Sequence, residues 1–375
     1  MNILVLISHN WRGGRASGME VYTIELIRGL RAKGHSIFLA TAKAAPGCLS
    51  DSGVVVDLEL PFHSPLHNLQ TYRRLRQVVV DRHIDIVHAQ HRTAAYFAEA
   101  LWRKQRVPYV VSIHDPWHAT PFKKWHGGLF LRFIAVSEFL RQLLIRQFKV
   151  PPERVRTIRN GVDPSRFAAV SREQAAALRA EYGIAPAEIV LSQVSRLSRP
   201  KAHRDLIAAL ALLPRTLNYH CLIFGEGREL PRLKHLVKTH RLENKVFFCG
   251  FRSDIPVVFA ATDVVLLPSR SGEGLPLAVV EAMLSSVAVI AARTAGVPEI
   301  ITHEQDGLLI DAGDIPALAG HIERLITDSD LRRRLAEAGR RTALERFLLS
   351  RVIDETEAYY CEILAHPEAE PCPPD

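Results

Sequence analysis

Three observations predict an α/β chain built from two parallel-sheet domains. Short apolar runs of strand length alternate with helical patterns along the whole chain. The chain has 375 residues, long for one core and comfortable for two. The alternation is broken once by Asn160-Gly161-Val162-Asp163-Pro164, where Asn-Gly and Asp-Pro punctuate the chain as turns.

In the first half, strands are expected at residues 2–7, 36–40, 54–60, 84–89, 109–113, 133–136 and 155–158. Helices are expected at 18–33, 66–82, 93–105 and 137–148. In the second half, strands are expected at 188–194, 219–224, 245–249, 263–268, 287–291 and 307–310. Helices should cover 171–181, 202–213, 229–240, 254–260, 275–285, 315–327, 329–346 and 349–364. The domains are read as 1–165 and 166–348, followed by a last helix at 349–365 and a Pro- and Glu-rich disordered tail at 366–375. In doubly wound sheets, ligands bind at the carboxyl ends of the strands, so the loops there are the candidate sites.

Composition narrows the class. The chain is 47% apolar and 23% charged, as a soluble globular protein should be. Asn2–Ile7 reads as a buried strand rather than a signal peptide, and no apolar run reaches membrane-span length. Five cysteines, odd in number and without metal-ligand spacing, point to a reducing cytoplasm and no structural zinc. Residues 1–170 hold 24 Lys+Arg against 12 Asp+Glu, whereas residues 171–375 hold 24 against 28. The basic half suggests an anionic partner, either a membrane surface or a diphosphate-bearing acceptor; a merely soluble basic surface explains it equally. No nucleic-acid-binding module is recognisable, so nucleic acid is not an expected partner.

The most informative stretch runs from Ser271-Gly272-Glu273-Gly274-Leu275-Pro276 to Glu281, directly after the strand Asp263–Pro268. It reads as strand, glycine-bearing loop, helix. Pro276 suits a first helical turn, and the free N–H groups there suit an anion. Glu273 is expected at the mouth and Glu281 about a turn and a half inside. A phosphate flanked by hydroxyl-bearing groups, as in a nucleotide sugar, fits this layout.

The stretch resembles the Glu-x7-Glu signature of the family-4 retaining glycosyltransferases, which have the GT-B fold of two Rossmann-like domains facing a cleft; the resemblance implies an acceptor-side first domain, a nucleotide-sugar-binding second domain and a last helix, 349–365, that crosses back to the first. The resemblance implies that Glu273, with the amides of Gly274 and Leu275, meets the sugar and diphosphate, and that Glu281 binds the ribose. Val194-Ser195-Arg196-Leu197 with Lys201 resembles the family's diphosphate clamp. Guanidinium and ammonium groups suit that role. Ala202 stands where the family has Gly.

Gly225, in Phe224-Gly225-Glu226-Gly227, and Gly250-Phe251 follow strands. The family places such loops near phosphates and base, although a plain turn explains either equally well. Thr294-Ala295-Gly296-Val297-Pro298-Glu299 resembles a Gly-Gly-x-Pro-Glu segment, with Ala295 replacing a Gly. Ser285-Ser286-Val287-Ala288-Val289 stands where a Gly and then Pro-Val are common.

In the first half, Gly13-Gly14 and Gly18-Met19-Glu20 each fit part of the family's Gly-Gly-x-Glu loop. Ser112-Ile113-His114-Asp115 resembles its His-Asp, which implies that His114 approaches the reacting sugar; His88 and His91 end another strand. The basic–aromatic segment Phe122–Phe133 suits a membrane interface, an acceptor cover or an ordinary core edge.

Together these imply retaining, front-face transfer of a sugar from a UDP- or GDP-linked donor to a glycan, lipid-linked or small-molecule acceptor. His114, Arg196, Lys201 and Glu273 are the catalytic set. No cofactor or metal is implied, since no Asp-x-Asp signature occurs. The rival expectations are a nucleotide-sugar epimerase or phosphorylase on the same fold, or a non-catalytic sugar-nucleotide scaffold. The place implied is the cytoplasm or the inner membrane face, in cell-envelope polysaccharide assembly.

Overall fold

The structure is a computed structural model and describes residues 1–7, 18–41, 54–57, 65–117 and 132–366. Gly13-Gly14, most of Phe122–Phe133 and the tail beyond His366 lie outside the described residues. The chain divides into two compact units: residues 1–160 together with the stretch from Leu349, and Gly161–Leu348. The division thus falls at Asn160–Gly161, inside the turn string itself.

Unit 1 is a seven-stranded parallel sheet in the order β3-β2-β1-β4-β5-β6-β7. Its strands are β1 (Asn2–Leu6), β2 (Ser36–Thr41), β3 (Val54–Asp57), β4 (Ile86–Ala89), β5 (Tyr109–Ile113), β6 (Phe133–Ala135) and β7 (Val155–Thr157). Helices α1 (Gly18–Ala32), α2 (Pro65–Asp81), α3 (Arg92–Gln105), α4 (Glu138–Phe148) and the last helix, α13 (Leu349–Ala365), belong to it. β1, β4 and β5 are buried along nearly their whole length because helices cover both faces of a parallel sheet, and His88 and Ser112 are the polar side chains carried inside β4 and β5. The last helix packs on α1, and the packing is close at Gly29. A Cβ there would lie 2.0 Å from Ile353 Cδ1.

Unit 2 is a six-stranded parallel sheet in the order β10-β9-β8-β11-β12-β13. Its strands are β8 (Ile189–Val194), β9 (Tyr219–Phe224), β10 (Val246–Gly250), β11 (Val264–Leu267), β12 (Ala288–Ala292) and β13 (Leu308–Ile310). Its helices are α5 (Ser165–Ala168), α6 (Arg172–Glu181), α7 (His203–Leu212), α8 (Leu230–Thr239), α9 (Ile255–Ala260), α10 (Leu277–Leu284), α11 (Ile315–Thr327) and α12 (Ser329–Arg346). Residue Leu191 of β8 pairs with Cys221 on one side and Val264 on the other. The winding direction reverses between β8 and β11, which is the switch point of this sheet. In unit 1 the reversal falls between β1 and β4.

The element bounds follow the sequence pattern closely, with two informative departures. Helix α10 begins at Leu277, two residues later than read, because Pro276 is still extended (φ −70°, ψ 112°) and acts as the N-cap. Helix α5 has four residues, too few to show a period.

Three positions where the resemblance expects glycine are held in the left-handed region: Ala202 (φ 54°), Ser286 (φ 58°) and Ala295 (φ 46°). Ser286 closes α10 in a Schellman turn. Its N–H donates to the Met283 carbonyl (3.0 Å), and the Val287 N–H donates to Ala282 (3.0 Å). A Cβ in this region costs about 1 kcal/mol, and the Ser286 side chain is exposed, so nothing offsets that cost. Ser286→Gly is expected to stabilise unit 2 by about 1 kcal/mol, raising its Tm by roughly 2–4 °C in scanning calorimetry. An unchanged or lowered Tm would show the turn to be unstrained. Ala202 is buried, so its methyl group recovers part of the same cost.

Candidate active site

In unit 2 the loops after β8 and β11 meet at the switch point. The β8 loop carries Arg196 and Lys201; the β11 loop carries Glu273. Lys201 Nζ donates to Glu273 Oε1 at 2.5 Å. Ser269 Oγ, fully buried, donates to the same oxygen at 2.7 Å. Glu273 is itself buried, and no described residue engages its Oε2.

Further bonds hold the two loops together. The Arg270 N–H donates to the Pro200 carbonyl (2.8 Å). The Arg270 side chain grips Asp205 of α7 with two bonds, 2.6 and 3.0 Å. Gln193 Nε2 donates to the Lys201 carbonyl (2.8 Å), and Ser195 Oγ lies 3.2 Å from Nε2 of the buried His203. Burial, with Lys201 nearby, pushes the His203 pKa down to about 4, so its imidazole is neutral. Arg196, in contrast, is exposed, and its guanidinium has no ion-pair or hydrogen-bond partner among the described residues.

Gly225 and Gly227 serve as backing for this arrangement. A Cβ on Gly225 (φ +134°) would come within 2.0 Å of the Ser195 carbonyl, and one on Gly227 within 2.1 Å of that of Leu197. The Gly225 N–H donates to the Gly250 carbonyl (2.7 Å), and Leu197 N–H to Glu226 (2.8 Å). The glycines are therefore accounted for by close backbone packing behind Arg196. Gly250 adopts φ 72° with open space around its Cβ position, and Phe251 beside it is 41% exposed.

Gly274 and Leu275 are buried in the extended lead-in to α10. Because α10 starts at Leu277, Glu281 lies about one turn inside it rather than a turn and a half. Its side chain is 13% exposed, with the Arg166 guanidinium of α5 at 3.9 Å from the carboxylate. Burial raises its pKa, and Arg166 partly opposes the rise.

In unit 1 a cleft of about 460 Å³ opens at the carboxyl ends of β4 and β5, with His114, Gln90, Arg92, Tyr96 and Trp117 among its lining residues. His114 Nε2 lies 2.9 Å from Gln90 Oε1, and the Tyr22 ring meets the imidazole edge-on at 5.3 Å. His91 caps α3, accepting the Thr93 N–H on Nδ1 (3.3 Å). The Arg92 guanidinium stacks over Trp117 at 5.1 Å. Burial pushes His88 and His114 down to a pKa of about 3, and neighbouring imidazoles add to the effect. Both rings are neutral at physiological pH. Gly18 opens α1, with Met19 lining the cleft and Glu20 buried in the first turn.

The structure thus brings Arg196, Lys201, Glu273, Gly225 and Gly250 into neighbouring loops of unit 2, with Glu281 one turn into α10. His114 and Gly18 are in unit 1. Gln90, Gln193, Ser269, Arg270 and Arg166 were not singled out from sequence. Gln90 and Ser269, buried just past strand ends, look like ordinary turn residues, and Gln193, Arg270 and Arg166 look like ordinary strand, loop and helix residues, until their partners are seen. Among the described residues, no cluster of three or more His, Cys, Asp or Glu is placed to hold a metal ion. No helix among them is long and apolar enough to cross a membrane.

Two Rossmann-like parallel-sheet domains, one with a Lys–Glu bridge at its switch point, have the architecture of the GT-B glycosyltransferases. The family described as glycosyl transferases group 1 matches residues 174–342, and that described as glycosyltransferase family 4 matches residues 16–166. A putative glycosyltransferase, EpsD, of Bacillus subtilis (strain 168) is 30% identical over 78% of this chain and 80% of its own length. The N-acetyl-alpha-D-glucosaminyl L-malate synthase of Bacillus anthracis is 26% identical over 92% of this chain and 94% of its own. Among solved structures, Anabaena HepE in complex with UDP and glucose superposes with a TM-score of 0.85 at 25% identity, covering 96% of this chain and all of that one. The chain belongs to the family-4 glycosyltransferases.

Proposed function

We propose that this glycosyltransferase moves a hexosyl group from a UDP- or GDP-linked donor to a glycan, lipid-linked or small-molecule acceptor, with retention of configuration. The observation that carries the reading is the Lys201–Glu273 bridge, in the same loop pair as an Arg196 that is exposed and without a partner among the described residues. A buried carboxylate is costly unless paired, here with a half-buried ammonium group, and the exposed guanidinium carried on the same loop suits a diphosphate. The UDP and glucose bound by HepE support the donor class.

In this reading Arg196 and Lys201 neutralise the diphosphate as the bond between the anomeric carbon and the phosphate oxygen breaks. The amides leading into α10 and the positive end of its dipole add to that stabilisation. Glu273 Oε2, left unengaged, accepts from sugar hydroxyls, and Glu281 from the ribose. The acceptor oxygen bonds to the anomeric carbon on the face the diphosphate leaves. A departing phosphate oxygen takes the acceptor's proton. His114, neutral and in the unit 1 cleft, receives a substrate hydroxyl there rather than acting as an acid. Transfer proceeds without a metal ion, and work at an anionic membrane surface in cell-envelope assembly fits the basic charge of residues 1–170.

Thermal unfolding with UDP, GDP, ADP and CMP, each with and without EDTA, tests this. A nucleotide at a hundredfold its Kd contributes about 2.7 kcal/mol, and one of the four should raise Tm selectively, unaffected by EDTA and lost in Glu281→Ala. No shift with any of them favours a non-catalytic scaffold. Arg196→Ala should weaken nucleotide-diphosphate binding by roughly 10- to 100-fold with little change in Tm, because the exposed guanidinium has no hydrogen-bond or ion-pair partner among the described residues. Titration calorimetry giving unchanged affinity would remove Arg196 from the site.

A further inference from the structure

A buried polar chain in unit 1 runs from the last helix to His114. Tyr360 of α13 is fully buried, and its hydroxyl lies 2.5 Å from His88 Nδ1. The other nitrogen of His88, Nε2, lies 2.7 Å from Ser112 Oγ on the neighbouring strand β5. Tyr360 also meets the His88 ring edge-on, with centroids 5.6 Å apart. Both edges of a 1%-exposed imidazole are therefore fixed, one by the last helix and one by the sheet.

Gln90 is the next link. Its amide nitrogen faces the His88 ring, 3.2 and 3.1 Å from the two ring nitrogens. Its amide oxygen faces His114 Nε2 at 2.9 Å. An amide has one donating and one accepting end, so the end given to His88 dictates the end given to His114. With oxygen toward His114, the His114 Nε2 must carry the hydrogen, leaving Nδ1 as an acceptor. Gln90 is 1% exposed and also lines the cleft, so no bulk solvent competes for this arrangement.

We propose that Gln90 and Tyr360 are positioning residues that fix the tautomer of His114, with His88 as the relay between them. This rests on the reading of His114 as the substrate contact of unit 1. The last helix is then part of the active-site apparatus: by anchoring His88 it sets the direction in which Gln90 presents its amide, and so which nitrogen of His114 can accept a substrate hydroxyl.

The test uses the full chain with ¹⁵N-labelled histidine. Long-range ¹H–¹⁵N correlation spectra report each imidazole's tautomer directly. Wild type should show His114 protonated on Nε2. Gln90→Leu removes the acceptor and should give a mixture or the Nδ1-protonated form, whereas Gln90→Glu keeps an acceptor oxygen and should retain Nε2–H. Tyr360→Phe should shift the population in the same direction as Gln90→Leu. With UDP-glucose as the probe, kcat for nucleotide release should fall about tenfold in Gln90→Leu and Tyr360→Phe, with KM little changed, and be largely restored in Gln90→Glu. A His114 tautomer that is the same in wild type, Gln90→Leu and Tyr360→Phe, or one protonated on Nδ1 in wild type, overturns the proposal. His114→Gln separates the two layers. Full turnover in that variant, alongside the expected tautomer shifts, sinks the role given to His114 and leaves the relay standing. Loss of turnover in it with unchanged kcat in Gln90→Leu sinks the relay.

Discussion

Lys201→Met is expected to abolish transfer and to destabilise unit 2 together. The substitution keeps the apolar stem and removes the ammonium, leaving Glu273 with Ser269 as its hydrogen-bond donor in a site where the Glu273 side chain is 6% exposed. Breaking a buried pair by removing one member costs about 3–5 kcal/mol. Lys201 is 16% exposed, which reduces the figure here to roughly 2–3 kcal/mol, or a Tm lowered by about 4–12 °C. Turnover should fall by about 10²–10³-fold, the scale seen when one donor to a developing anion is lost. The double variant Lys201→Met, Glu273→Gln distinguishes the two effects. A neutral amide no longer needs the ammonium, so most of the stability should return in calorimetry while activity stays lost. If activity returned with stability, Lys201 would be a structural lysine and the diphosphate clamp would reduce to Arg196.

Acid lability of unit 1 is the second large effect. His88 and His114 have folded-state pKa values of about 3, against an ordinary histidine value of 6.5. Between those values the unfolded chain binds protons that the folded chain refuses, so stability must fall as pH falls. It is complete above about pH 6.5. Below that, each histidine removes about 1.4 kcal/mol per pH unit, and at pH 5 the pair has removed roughly 4 kcal/mol. The reason is structural: His88 has both nitrogens taken by Tyr360 and Ser112, and His114 has Nε2 taken by Gln90. All four tryptophans (Trp11, Trp102, Trp117, Trp125) fall within residues 1–160, so tryptophan fluorescence follows unit 1 alone. Urea midpoints read this way should drop steeply between pH 6.5 and 5, and His88→Leu should about halve the slope. A flat profile across that window would mean the two rings are charged or solvated in the folded protein.

The strands were legible because parallel strands covered on both faces are written as uninterrupted apolar runs, as in Val264–Leu267 or Ala288–Ala292. The helices were legible from their stripes and caps; Ser171 and Gln174 form the reciprocal capping box at the start of α6. The individual charged groups Arg196, Lys201, Glu273 and Glu281 were visible as a spaced set. Their pairing was not. That Lys201 spends a bond on Glu273, or that Arg166 faces Glu281, depends on loops separated by more than seventy residues in one case and more than a hundred in the other. Nor do Ala202, Ser286 and Ala295 announce a left-handed backbone, since their residue types argue against it; only a resemblance that puts glycine there hints at the conformation. Gln90 was hidden for a different reason. A glutamine one residue past a strand looks like turn material, and only the rings on either side of its amide reveal a directional link.

Val162 donates its N–H to Phe347 and bridges Leu348, so the chain enters and leaves the Gly161–Leu348 unit through adjacent, paired segments. The consequence falls on biosynthesis. A ribosome making this protein releases all seven strands of the first sheet early but yields the helix that packs with them only after the whole of the Gly161–Leu348 unit. The second unit, continuous in sequence, is fully synthesised by then and is free to fold during the wait. Throughout that interval the first sheet lacks Ile353 over Gly29 and Tyr360 against His88. The nascent chain therefore passes through a stage with one finished domain and one unfinished one.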